Sequence, residues 1–235
     1  MKIDVNFDFR LDANGGDPDL NSPLLKSYHQ YLWSKKLPNG QIFSLKTGNT
    51  DEYLIFENAS TRIVLSSDSI VNSYGSRKNP PPIVKQIEQG LIESFKQLNS
   101  TIGGFILFPG KKVSNLMTIN QERGVNPLIA DRFDLTLECI RRFYLSEESP
   151  LSSVLDRYRN FFQLFGDFRG YVDFFLLNDL VDSQYSKIYY FNEFLEVFHN
   201  SPIPSTVDEY LTYRKNSMLF TQKRNQRVIE YAKRV

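Results

Sequence analysis

The sequence predicts an α+β fold, in which a small mixed or antiparallel sheet from the N-terminal half packs against a helical C-terminal half. Before residue 126, short apolar runs bounded by turn residues are typical of strands. After it, apolar residues recur at the three- and four-residue spacing of helices. No fixed-period repeat or long linker separates the halves. We therefore expect a single domain over 1–235, β-rich over about 1–125 and helical over about 126–235.

Composition narrows the class of protein and its compartment. The 235 residues are 41% apolar and 23% charged, which excludes wholesale disorder. A lone cysteine, Cys139, permits no intramolecular disulfide, and two histidines argue against a zinc site, so we predict no metal centre and name no cofactor. The N-terminus carries acids where a signal peptide has an apolar run, and no apolar stretch approaches 18 residues. We expect a soluble cytoplasmic protein with no membrane partner.

The elements of the N-terminal half follow from turn signals and short apolar runs. Residues 10–50 are rich in Gly, Pro, Asn and Asp, and enclose a short helix over 24–33 with Ser22 as its cap and Pro23 at its first position. A proline-initiated amphipathic helix is predicted over 84–98. Buried or half-buried strands are predicted at 53–57, 62–65, 104–108 and 116–120.

The C-terminal half is predicted to be almost entirely helical. Pro127 should open a helix that runs to about residue 145. Ser149 and Pro150 should open a second helix that Gly166 ends. Its aromatic residues, and the apolar run at 171–181, are expected to be core and not a base-stacking surface. Further helical segments are predicted at 191–198 and 208–234.

The net charge of +1 conceals an uneven distribution of charge along the chain. Residues 211–235 hold seven basic residues and one acid, whereas 1–210 hold 21 basic and 26 acidic residues. Lys223, Arg224 and Arg227 are therefore candidates for contact with a nucleic acid. The alternative is a solvated helix face that completes the fold or meets a protein partner.

The helix over 131–142 carries the most unusual charge pattern. At 100° per residue, its five charged residues Asp131, Asp134, Glu138, Arg141 and Arg142 fill a stripe about 100° wide, and apolar residues fill the rest. Such a helix is expected to run through the interior. Crowded carboxylates have raised pKa values, which suits general acids and bases, and their oxygens also suit a divalent cation.

Asp134 and Glu138 are accordingly the candidate catalytic carboxylates, with Arg132 and Arg141 as candidate ligand-binding residues. The competing interpretation is a structural salt-bridge network. Arg132 falls on the apolar side of the helix and must find a carboxylate or backbone carbonyls there. Upstream, Arg123 follows a predicted strand end, where it is a candidate for binding a phosphate.

His29 lies among aromatic residues, where a core role competes with a catalytic one. The familiar fingerprints of dinucleotide folds, phosphate loops and serine nucleophiles are missing from the sequence. The residue pattern of ADP-ribosyltransferases is matched only loosely, by His29, the pair Ser66-Ser67 and Glu122.

Three stretches resemble the signatures of a bacterial family of unknown function. They are SPLLKSYHQYLWSKKLPNG at 22–40, RFDLTLECIRR at 132–142 and GYVDFFLL at 170–177. The resemblance spans nearly the whole chain and implies a soluble bacterial or phage-associated protein that is one unit. It implies no activity, cofactor or catalytic residue.

Two functions remain open from the sequence. One is a nucleotide- or nucleic-acid-directed enzyme, a toxin or phage-defence effector among the options, with its site on the 131–142 helix. The other is a non-enzymatic module that binds nucleic acid or protein, in which the charges of that helix are structural. The two differ in whether a concave pocket reaches Asp134, Glu138 and Arg123.

Overall fold

A computed structural model describes residues 1–49, 52–75 and 80–234 of the chain. Within these ranges the strands are Leu45–Thr47 (β1), Leu54–Glu57 (β2), Arg62–Ser69 (β3) and Phe105–Pro109 (β4). The helices are Pro18–Asn21 (α1), Pro23–Trp33 (α2), Gln89–Asn99 (α3), Ile119–Val125 (α4), Phe133–Tyr144 (α5), Ser152–Arg157 (α6), Arg159–Gln163 (α7), Phe168–Phe174 (α8) and Val207–Ala232 (α9). The predicted α+β class is confirmed.

The strands form one antiparallel sheet in the order β1-β2-β3-β4. β3 pairs with β4 from Leu65 opposite Pro109 to Ser69 opposite Phe105. All five residues of β4 are buried, although this strand lies at the edge of the sheet. Helices cover it, because α4 packs on β4 and α9 packs on the turn that precedes it. The C-terminal end of β3, by contrast, is polar.

Apolar residues from both halves of the sequence belong to one buried core cluster. The aromatic residues of α7 and α8 are part of it: the Phe165 ring lies 5.3 Å from Tyr171 and 5.0 Å from Phe174, measured between centroids. The predicted core role of these aromatics is confirmed. Ser22 caps α2 through Leu25 N, with Pro23 at the first helical position, also as predicted.

Three predicted elements differ from the structure. The strand predicted at 116–120 is wrong: Thr118 and Gln121 form a capping box that starts α4, while Leu116 and Met117 are exposed. The helix predicted from Pro127 begins only at Phe133. Residues 191–198 form no helix within the described chain.

Two long predicted helices are divided. A 3-10 turn, Pro82–Gln86, precedes α3 because Ile87 and Glu88 adopt extended backbone angles between them. The helix predicted from Ser149 to Gly166 breaks at Tyr158 into α6 and α7. The amphipathic spacing located the buried faces, but the local breaks depend on tertiary packing.

Candidate active site

A solvent-accessible cleft of about 680 Å³ opens at the polar end of β3. Carboxyl groups line it from three separate parts of the chain, among them Asp19 of α1, Asp68 of β3 and Asp131 just before α5. We call these three residues, with Arg123 of α4, the cleft cluster. Arg123 has no exposed surface and pairs with Asp68 and Asp131.

A tight turn brings Asp19 to the sheet. Gly15 adopts a φ of +77°, which side chains disfavour, and a Cβ on Gly16 would lie 2.5 Å from Asn21 Nδ2. Asp17 then caps α1 by accepting a hydrogen bond from Asp19 N at 3.1 Å. The turn and cap therefore set Asp19 against the end of β3 before any ligand is present.

A chain of hydrogen bonds runs from the core to Asp19. Trp33 Nε1 donates to His29 Nδ1 at 2.9 Å, so the neutral imidazole carries its proton on Nε2. That Nε2 lies 3.3 Å from Ser67 Oγ, and Ser67 in turn donates to Asp19 Oδ1 at 2.5 Å. Burial, with the charge of Arg224, lowers the His29 pKa to about 3, which keeps the ring neutral.

The second face of β3 carries the ion pair of the cleft. Asp68 pairs with Arg123, whose Nη1 also donates to Ser69 O at 3.0 Å. Arg123 Nη2 donates to Asp131 O at 3.1 Å, and Thr136 accepts from Arg123 Nε at 3.2 Å. One guanidinium thus ties the end of β3 to the start of α5.

The backbone before α5 is strained. Ala130 and Asp131 have φ values of +48° and +65°, in the left-handed region that non-glycine residues rarely occupy. Asp131 N donates to Arg123 O at 2.9 Å, and Asn72 Nδ2 donates to Asp131 Oδ2 at 2.8 Å. Such conformations cluster at functional sites. They also delay the start of α5 to Phe133.

Their surroundings give Asp19 and Asp68 different pKa values. Burial, reinforced by the charge of Asp68, raises the pKa of Asp19 to about 8 despite the hydrogen bond from Ser67. Burial also raises the pKa of Asp68, but Arg123 restrains the rise to about 6. Burial opposes the charge on Arg123, and the two carboxylates outweigh it and raise the guanidinium pKa. Burial and charge therefore place the Asp19 pKa above that of Asp68.

The cations on the cleft wall are few. Arg10 is engaged by Asp8 and by Glu93, the latter at 2.7 Å. Lys96, which forms no ion pair with any residue of the described chain, also lines the cleft. Asp17 adds a fourth carboxyl. The cleft is consequently more acidic than basic, which disfavours a polyanionic strand along its length.

The carboxylates predicted from the sequence lie elsewhere. Asp134 has no exposed surface, pairs with Arg132 and accepts from Phe191 N at 2.8 Å. Glu138, 5% exposed, accepts from Arg141 Nε and from Arg142 Nε, both at 2.8 Å. We call Arg132, Asp134, Glu138, Arg141 and Arg142 the sealed cluster. The cleft is lined by Asp131 but by neither Asp134 nor Glu138.

Arg132 finds the partners that its position demands. Its side chain is fully buried, its Nε donates to Asp134 Oδ1 at 3.1 Å, and its Nη1 donates to Pro202 O at 3.1 Å. Its guanidinium also lies 5.0 Å from the ring centroids of both Phe194 and Tyr213. The expectation that α5 runs through the interior agrees with this geometry.

The basic C-terminal segment is divided by burial. Arg224 has no exposed surface and donates to the carbonyls of Phe175, Gly103 and Phe105. A buried guanidinium cannot reach a phosphate outside, which corrects the expectation for Arg224. Arg227 pairs with Asp179 at 2.5 Å, and Lys223 is exposed.

The sequence singled out His29 and Arg123, which lie behind the cleft and contact its carboxyls directly or through Ser67. It did not single out Asp19 and Asp68. Two signals were present: the turn Gly15-Gly16-Asp17-Pro18-Asp19, and the polar run Ser66-Ser67-Asp68-Ser69 that ends an apolar strand. Neither predicts that the two segments meet. Glu122 of the loose ADP-ribosyltransferase pattern does not line the cleft.

The described parts of the chain contain no group of three or more His, Cys, Asp or Glu side chains placed to hold a metal ion. Among the same residues, none of the helices combines the length and apolarity that a membrane span needs.

Comparison with known proteins gives one match. A family model described as a family of unknown function, DUF6994, matches residues 3–228. No curated protein and no solved structure matches the chain. Because the matched segment covers nearly the whole sequence, the chain belongs to this family of unknown function.

Proposed function

We propose that this protein is an enzyme that cleaves or transfers a sugar-bearing group by general acid–base catalysis, with a nucleoside or mononucleotide as the substrate class. The observation that carries the proposal is that Asp19 and Asp68 line one accessible cleft in different surroundings: Ser67 and Ser69 contact Asp19, whereas Arg123 pairs with Asp68 and holds its pKa below that of Asp19. Environments that push two carboxyl pKa values apart are typical of acid–base pairs.

The roles follow from this order of the two pKa values. Asp19 would donate its proton to the leaving-group atom of a glycosidic bond as that bond breaks. Asp68 would accept a proton from the attacking water, whose oxygen forms the new bond to the sugar carbon. Arg123 would hold Asp68 in its ionised form.

The lining of the cleft supports the substrate class. Carboxylate and hydroxyl oxygens suit the hydroxyl groups of a sugar, while Lys96 offers positive charge to a single phosphate. Four carboxyls would repel a longer polyanion. The proposal therefore narrows the nucleotide- or nucleic-acid-directed activity expected from the sequence to small substrates. A role as a toxin or phage-defence effector stays a prediction from the sequence.

The test is a turnover screen of nucleosides, mononucleotides and 4-nitrophenyl glycosides, read by mass spectrometry. Asp19→Asn and Asp68→Asn should abolish turnover of the substrate found while keeping the fold. Glu138→Gln is the control, since Glu138 does not line the cleft, and it should keep turnover. The rate profile kcat/KM against pH should be bell-shaped, with limbs near the Asp68 and Asp19 pKa values of about 6 and about 8.

Loss of turnover in Glu138→Gln with retention in Asp19→Asn would return the site to α5. Absence of turnover across the panel, with ligand binding unaffected by Asp19→Asn, would favour the alternative of a non-enzymatic binding module.

A further inference from the structure

A second pocket, of about 430 Å³, lies between the segment that follows α2 and the start of α8. It is distinct from the cleft, and its lining includes Lys35, Lys36, Asp173 and Phe174. Its volume is that of a small-molecule site. The unusual feature is the surroundings of Lys35.

Three aromatic rings surround the Lys35 amine. Nζ lies 4.9 Å from the centroid of Trp33, 4.7 Å from that of Phe174 and 4.4 Å from that of Tyr231. The backbone is fixed on both sides, because Lys35 N donates to Trp33 O and Phe43 N donates to Lys35 O, each at 2.8 Å. No carboxylate of the described chain forms an ion pair with it. The amine is therefore held in place without a counter-ion.

A neighbouring fixed cation makes the positive charge of Lys35 costly. Arg224 is fully buried and lies 5.7 Å from the same Trp33 ring. Its Nε and Nη1 donate to backbone carbonyls and not to a carboxylate, and its Nη2 has no hydrogen-bond partner. An arginine keeps its proton more firmly than a lysine, so Lys35 is the member that gives up its charge.

The other charged groups near Lys35 act more weakly. Asp173 of α8 favours the charged amine but is itself engaged by Tyr185 at 2.7 Å and Asn178 at 2.6 Å. Arg169 of α8 and Lys36 are cationic and exposed. Burial, with Arg224 and against Asp173, lowers the Lys35 pKa to about 7.

We propose that Lys35 is a nucleophilic amine that condenses with small aldehydes or ketones in this second pocket. The amine nitrogen forms a bond to the carbonyl carbon, the carbonyl oxygen takes up a proton, and loss of water leaves an imine. The aromatic faces stabilise positive charge on the nitrogen in both the ammonium and the protonated imine, so burial and the charge of Arg224 must outweigh them for the amine to react. The proposal is independent of the proposed function, since its residues are separate from those of the cleft.

The test is reductive trapping of glycolaldehyde with cyanoborohydride on the intact protein, over a pH series, with adduct occupancy measured at every lysine by peptide mass spectrometry. Lys36 is the internal control because it is adjacent and exposed. At pH 7, Lys35 should be modified at least about tenfold faster than Lys36, because an ordinary lysine is almost wholly protonated there. Occupancy at Lys35 no higher than at Lys36 would overturn the proposal.

Three variants sharpen the result. Lys36→Arg should leave the adduct at Lys35 unchanged, and Lys35→Arg should remove the fast-reacting site. Asp173→Asn removes the carboxylate that favours the charged amine, so the midpoint of the pH dependence should move to lower pH. A midpoint that stays in place or rises in a folded Asp173→Asn protein would contradict the electrostatic origin of the reactivity.

Discussion

The sealed cluster and the cleft cluster combine the same side-chain types to opposite effect. In the sealed cluster, Asp134 meets Arg132 with both side chains fully buried. In the cleft cluster, Arg123 is fully buried while its partners Asp68 and Asp131 keep 19% and 28% of their side-chain surface. The first arrangement fixes α5 in the core, and the second presents carboxyls to solvent. The solvent exposure of the carboxyl side chains therefore distinguishes the candidate site from the structural network.

Asp134→Asn should produce the largest change in stability. The substitution leaves the Arg132 guanidinium buried without a counter-charge, which costs about 3–5 kcal/mol. Urea unfolding followed by circular dichroism measures the loss. Asp156→Asn is the matched control because its pair with Arg159 is more than half exposed, and it should cost less than about 1 kcal/mol. Equal effects of the two variants would mean that the sealed cluster is not structural.

Asp19→Asn should raise the free energy of unfolding at alkaline pH, whereas Asp134→Asn lowers it. Because the folded-state pKa of Asp19 is raised to about 8 from an ordinary 3.8, its contribution to stability is complete below pH 4 and is lost as pH rises through 8. Replacing the carboxyl removes that loss, a gain on the order of 1–3 kcal/mol at pH 9. Unfolding free energies at pH 5 and pH 9 test this. A variant less stable than the wild type at pH 9 would contradict the account.

Glu138→Gln should destabilise less than Asp134→Asn. Its arginines, Arg141 and Arg142, are 18% and 31% exposed, so both can turn towards water when the carboxylate is lost. We expect a cost of about 1–2 kcal/mol by urea unfolding. A cost as large as that of Asp134→Asn would show that the cluster is uniformly buried in solution.

Ser67→Ala should have the smallest effect on stability and a specific effect on Asp19. The hydroxyl donates to Asp19 Oδ1 and so favours the carboxylate, which means that its removal raises the Asp19 pKa further. The loss of stability should be about 1 kcal/mol. Ser66→Ala is the control, because Ser66 accepts from Asn120 instead. NMR titration of Asp19 in both variants is the test: its pKa should rise in Ser67→Ala and stay unchanged in Ser66→Ala.

The spacing of apolar residues correctly predicted those elements that are defined by a buried face. The charge stripe of α5 correctly implied an interior helix, and the position of Arg132 on the apolar side implied its buried partner. The strand predicted at 116–120 failed because a capping box between Thr118 and Gln121 outweighs a short apolar run. The helix start predicted at Pro127 was wrong because Ala130 and Asp131 adopt left-handed backbone angles, and α5 begins only at Phe133.

The site was less accessible to sequence reasoning because it is assembled from distant segments. Asp19 and Asp68 are separated by 49 positions in the sequence and meet only through the contact of α1 with β3. Asp134 and Glu138 were predicted as the site because helical spacing places them next to other charged residues on one helix, and that spacing can be read from the sequence. What the sequence does not encode locally is whether a carboxylate faces a cleft or an arginine.

The most direct test of the cleft as an acid–base site is the titration of its carboxyls in the folded protein. Carbon-13 NMR of protein labelled at the aspartate Cγ atoms, assigned with Asp19→Asn and Asp68→Asn, follows each group separately. The account predicts that Asp19 titrates near pH 8 and Asp68 near pH 6. Titration of both groups at the ordinary aspartate value of 3.8 would contradict it.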